Sequence, residues 1–211
     1  MKTEELIRAL TADGIRPVRP VGHTLLSALA AGALVSIALF AAILHPRADV
    51  GQAFLAPAFE FKLLVLLCLT VASTGFLIRA ALPHPGSGHN WLLLSTPLLM
   101  LTGIAADLAA VPMDLWERRW IGHNAAHCLS IVPLLSIPTL VCLFIALRGA
   151  APARPWLAGA VAGLVSGGVG GFLYALTCPD DSPLFVATWY SIAIGMVAGA
   201  AALAGSRWLQ W

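Results

Sequence analysis

Hydrophobic positions in this chain do not alternate with polar ones; they run together in six blocks, 24–44, 61–82, 91–111, 126–147, 156–176 and 183–204, dominated by Leu, Ala and Val. About 20 apolar residues in a helix cross the ~30 Å hydrocarbon layer of a bilayer. In lipid only elements that pair every backbone group internally are viable. The blocks therefore predict six transmembrane helices and an all-α, polytopic membrane helix bundle. The first block exceeds the apolar stretch of a cleaved signal, about 7–15 residues, so it reads as a retained helix. Residues 1–23 form a cytoplasmic N-terminal segment and 24–211 a single transmembrane domain, because no stretch between blocks has room for a second folded unit.

Composition strengthens the assignment. Of 211 residues, 59% are hydrophobic and 10% charged, against roughly 25% charged in a soluble domain. The few charges set the orientation. Lys2, Arg8, Arg16, Arg19, Arg79, Arg148, Arg154 and Arg207 fall on the N-terminal side of a six-span topology, and Arg47, Lys62, Arg118 and Arg119 on the other. Basic residues near helix ends stay cytoplasmic, so both termini are expected inside, in a bacterial inner membrane. Asp107 is the ionisable residue singled out within a block, with Lys62 and Arg79 counted as flanking charges. A single carboxylate makes a poor ion pathway, and a hydrogen-bonded role near the outer interface is expected for it.

Small residues suggest how the helices meet. Gly159, Gly163, Gly167 and Gly171 repeat every four positions in the fifth block, and Gly195 and Gly199 repeat the spacing in the sixth. Close backbone approach drives association when burial of apolar area offers none, so these two helices are expected to pack stripe to stripe. A homodimer interface is the alternative use. Pro133 and Pro138 predict a bend in the fourth helix.

The cysteines supply the candidate chemistry. Cys68 and Cys142 lie mid-block among apolar neighbours and read as small hydrophobes. Cys128 opens the fourth helix and Cys178 closes the fifth, both facing the periplasm, where disulfides form and persist. A helix N-terminus favours a thiolate and a C-terminus disfavours it, so Cys128 is the expected attacking group. His123 and His127 precede Cys128, and Asp180 and Asp181 follow Cys178, so this mouth could hold a heavy-metal ion, with no cofactor obligatory. On the cytoplasmic side Thr3 can cap a short helix that places Leu6, Ile7 and Leu10 on one face, with Arg8 among them. That pattern suits either the membrane surface or a partner's groove.

No nucleophile, base and oxyanion grouping, nucleotide loop or bound-cofactor motif is present, so neither an enzyme nor direct nucleic-acid binding is expected. A membrane thiol redox protein would need a close Cys pair or a quinone site. A small metal or solute transporter would need more polar groups at the midplane and repeat symmetry.

Three segments resemble the NrsF family of bacterial membrane anti-sigma factors: MKTEELIRALTAD at the start, HCLSIVPLLSIP around Cys128, and YALTCPDDSPLFVATWYSIAIG around Cys178. The resemblance implies an inner-membrane regulator. It would hold an extracytoplasmic-function sigma factor from RNA polymerase and free it under heavy-metal or oxidative stress, with Cys128 and Cys178 as the sensing residues. The sigma factor would then contact Leu6, Ile7, Arg8 and Leu10, helped by cytoplasmic loops 83–90 and 149–155.

Overall fold

The computed structural model describes residues 4, 20–82 and 92–210. Leu6, Ile7, Arg8 and Leu10, expected on a short helix, and the expected loop at 83–90 lie outside the described residues. Six long helices follow one another: α1 (Val21–Ile43), α2 (Pro57–Ala80), α3 (Leu92–Ala110), α4 (Ala125–Ala150), α5 (Pro155–Ala175) and α6 (Pro183–Trp208). No strand occurs among the described residues. Pro57, Pro155 and Pro183 each start a helix, where the missing N–H costs nothing and the fixed φ suits the first turn. Among the described residues five stretches are long and apolar enough to cross a membrane: Val21–Ile43, Pro57–Ala80, Met113–Ala150, Pro155–Ala175 and Pro183–Trp208. The third block supplies a shorter apolar helix, Leu94–Ala110.

The bundle turns its apolar side chains outward. Leu34 is 67% exposed and Leu203 71%, along with many other large aliphatics, a surface that water would not tolerate and lipid tails would solvate. The interior is organised around α5, the most buried helix, which packs on α6, α4 and α2. Its glycines explain the proximity. A Cβ on Gly163 would stand 2.5 Å from the Ala198 Cα, and one on Gly170 2.7 Å from the Val132 carbonyl oxygen, so only bare backbone fits between α6 and α4.

The second stripe is not used as expected. Nothing lies within 4 Å of a Cβ built on Gly195 or Gly199. The face that α6 turns to α5 carries Ile194, Ala198 and Ala201, and each step along a helix of 3.6 residues per turn rotates the side chain by about 100°. Gly195 and Gly199 therefore point past α5. On the other flank α1 meets α4 through Ser36 and Thr139, whose hydroxyls are 3.0 Å apart and buried. α4 runs unbroken through Pro133 and Pro138.

Candidate functional site

Chain alternation gathers the C-termini of α1, α3 and α5 and the N-termini of α2, α4 and α6 at one end of the bundle, and every residue of the thiol site lies there. The α5 helix stops at Ala175, and Pro179 and Pro183 prevent the next residues from continuing it. Cys178 sits in the resulting loop. Arg47 donates its backbone N–H to the Leu176 carbonyl at 3.1 Å, and Thr177 donates its hydroxyl to the His45 carbonyl at 3.1 Å, which ties the loop to the connection between α1 and α2. Cys128 lies in the first turn of α4, its N–H bonded to the Asn124 carbonyl at 2.9 Å.

Both thiols are free and interior: Cys128 is 0% exposed and Cys178 1%. They share one buried cluster with Val132, Tyr174, Phe185 and Tyr190. The two tyrosine rings pack 5.8 Å apart. Two distant chain positions are thus brought to one apolar pocket of the bundle end.

Three consecutive residues after Pro179 each bind a different element. Asp180 Oδ2 accepts hydrogen bonds from the backbone N–H of His123 (3.0 Å), from that of Asn124 (2.9 Å) and from Asn124 Nδ2 (3.0 Å). It thereby caps α4, the helix that carries Cys128, and a carboxylate at a helix N-terminus also gains from the dipole, typically ~0.3–1 kcal/mol. Asp181 binds the Lys62 ammonium of α2 at 2.5 Å and the Arg47 guanidinium at 2.8 Å. Ser182 donates its hydroxyl to Asp107 at the end of α3, at 3.2 Å. Asp107 is itself ion-paired with Arg119, which matches the structural role expected of that carboxylate.

Lys62 is the most unusual group of the site. Its side chain is 0% exposed, yet it ends against the Asp181 carboxylate. Besides Asp181 it donates to the Cys178 carbonyl at 3.0 Å and lies 5.2 Å from the centre of the Phe59 ring. A buried ammonium persists only with such partners, and removing one of them typically costs ~3–5 kcal/mol. Arg47 extends the network to Asp49, at 2.7 Å. Its hydrogen bonds to Asp49 and Asp181 hold the guanidinium more firmly protonated than usual, and Arg47 in turn draws the Asp49 carboxyl below its ordinary value. Burial pushes the Cys178 thiol up, against an opposing pull from the Lys62 cation.

The sequence as a whole matches a known family across this architecture. The family model described as NrsF, negative regulator of sigma F, matches residues 10–211. The chain belongs to the NrsF family. It is 32% identical to the probable anti-sigma-F factor NrsF of Azospira oryzae and 34% identical to the anti-sigma-F factor NrsF of Caulobacter vibrioides, over 100% of both chains in each case. No solved structure matches. The family is one of negative regulators of a sigma factor.

In this NrsF chain the His and Asp residues expected at a metal mouth hold other partners or face outward. Among the described residues no group of three or more His, Cys, Asp and Glu side chains gathers as a metal site. The reason lies in what each residue does. Asp180 and Asp181 are committed to α4 and α2, while the His123 side chain is 91% exposed and His127 is exposed too, away from the buried thiols. Two thiols alone fall short of the four ligands of a structural zinc.

Sequence reading missed Lys62 and Arg47 as parts of the site, having used them only to count charge. The signal was present: the paired acids of the CPDDSP loop at a helix end that also carries the two cations nearest to a span boundary.

Proposed function

We propose that this chain is an inner-membrane anti-sigma factor that holds an extracytoplasmic-function sigma factor at the cytoplasmic face. It lets the sigma factor go when an oxidant, or a soft heavy-metal ion, reacts with Cys128 and Cys178. Family membership supports the sigma-factor part. The observation that carries the sensing part is the sharing of one buried cluster by the two thiols, at an end of the bundle where the Cys178 loop also grips α2, α3 and α4. In the topology we propose, six spans with both termini inside, that end faces the periplasm and the N-terminal segment the cytoplasm.

Oxidation would join the two sulfurs. Each thiol gives up a proton, the pair gives two electrons to the oxidant, and a bond of ~2.05 Å forms. The loop and the start of α4 then adopt the geometry that bond requires. Because Asp180, Asp181 and Ser182 bind the ends of three helices, their positions change with it, and the packed helices carry the change to the far end of the bundle. A signal shifts such an equilibrium only by its different free energy in the two states. The covalent bond supplies that difference, since it is compatible with one arrangement of the loop.

On the cytoplasmic side the contact with the sigma factor is assigned to Leu6, Ile7, Leu10 and Arg8. Co-purification from detergent-solubilised membranes tests this reading. The intact protein should bring a sigma factor with it, and the Leu6→Ala/Ile7→Ala/Leu10→Ala variant should retain less by about tenfold or more, as expected when several apolar anchors in one groove are truncated. Equal recovery with the variant would place the contact elsewhere.

A further inference from the structure

The buried ammonium of Lys62 has no part in joining two sulfurs, and a leucine at its position would pack without dehydrating a charge. Its location is informative. It projects from the first turns of α2 to the backbone carbonyl of Cys178, 3.0 Å away, and to Asp181 Oδ1, 2.5 Å away. It is the one described side chain that bonds both the sensor residue's own backbone and the loop's central carboxylate. The remaining ties of the loop grip residues beside Cys178: Arg47 the Leu176 carbonyl and the Asp181 carboxylate, Thr177 the His45 carbonyl, Asp180 the start of α4, Ser182 the end of α3.

We infer that Lys62 is a positioning residue, which fixes the Cys178 backbone against α2 so that the thiol is held inside the cluster it shares with Cys128. The inference rests on the reading of these two cysteines as the sensing pair. Lys62 and Asp181 together shield Cys178 from reagents that attack single thiols while keeping it in register for its partner sulfur. A charged tether suits that role better than an apolar contact. Its bonds are directional, so they hold one carbonyl in one place, whereas apolar packing tolerates sliding.

The full-length protein in lipid nanodiscs, with Cys68→Ala and Cys142→Ala so that two thiols remain, provides the test. Two readouts are needed: the rate at which N-ethylmaleimide labels Cys178, and the yield of the Cys128–Cys178 bond with diamide, which takes two electrons and two protons from the thiols and becomes the hydrazine. Lys62→Met should raise the labelling rate by about tenfold, as local opening of the loop becomes easier, and should lower the bond yield several-fold. Lys62→Arg, which keeps both bonds within reach, should stay close to the parent on both. A role confined to general stability would instead loosen both thiols, so the inference is overturned if labelling and bond yield rise together, or if neither changes. Should Lys62→Met be lost from the membrane, Asp181→Asn carries the same expectation, and unchanged readouts there overturn the inference equally. Retention of the sigma factor, followed in the same samples, separates the positioning role from the sensing role. If the thiol chemistry shifts as expected and the sigma factor is never released by diamide, the positioning role stands and the sensing role falls.

Discussion

Alanine at both Cys128 and Cys178 is expected to leave the sigma factor bound and abolish its release by oxidants. Both thiols are interior and small, so Cys→Ala removes little volume, and the bundle should still fold. Serine would be the poorer choice, because its hydroxyl would be buried beside apolar neighbours without an assured partner. The size of the effect follows from the arithmetic of a two-state switch. Moving a population from about 1:99 to 99:1 takes ~5.5 kcal/mol of difference between the states, and in the proposed mechanism the bond between the sulfurs would supply it. Without the sulfurs a sigma-dependent reporter in oxidant-treated cells should stay at its unstressed level, whereas the parent protein should allow full induction. Full induction in the double alanine variant would remove the cysteines from the mechanism.

Leucine at Gly163 is expected to destroy the bundle's central contact. A Cβ there would stand 2.5 Å from the Ala198 Cα and 2.9 Å from the Val197 carbonyl oxygen, both backbone atoms of α6. Neither can rotate away, so the helices would have to part along the seam that lets them associate in lipid. Overpacking commonly costs ~1–3 kcal/mol, and a backbone seam leaves no side chain to relax. Protein in the membrane fraction should therefore fall by about tenfold or more, consistent with clearance of marginally stable chains. Gly195→Leu is the matched control, since nothing lies within 4 Å of its Cβ; its abundance should stay near the parent. Equal loss in both variants would mean that a leucine in any span is harmful, and would remove the seam as the cause.

The helices were legible from the chain because lipid leaves so few alternatives. A block of Leu, Ala and Val of the right length can hardly do anything but cross, although the blocks at 61 and 156 began after the prolines at 57 and 155 that start those helices. The glycine stripes were half legible. Spacing identified a bare face on α5 and on α6, but the sequence carries no information about the rotation of one helix against another, and α6 turns Ile194, Ala198 and Ala201 inward instead of Gly195 and Gly199. The cysteine end was legible through topology, whereas depth was not: position in a first turn or a loop does not reveal that a residue is covered from all sides. Lys62 shows why. Its partner Asp181 is 119 residues away, and a lysine near a span boundary ordinarily reaches outward to the headgroups. Asp107 was easier, because its partner Arg119 follows only 12 residues later, across a short turn.

Whether joining the two sulfurs is the event that frees the partner can be measured directly on the purified complex of this protein with its sigma factor in nanodiscs. The complex is titrated with diamide, and the disulfide-linked Cys128–Cys178 peptides and the bound sigma factor are quantified from the same aliquots. The predicted result is a single curve, in which the fraction of sigma factor lost equals the fraction bridged and returns to zero on reduction. A fully bridged protein that still holds its sigma factor, or a sigma factor that departs while both thiols are free, would contradict it.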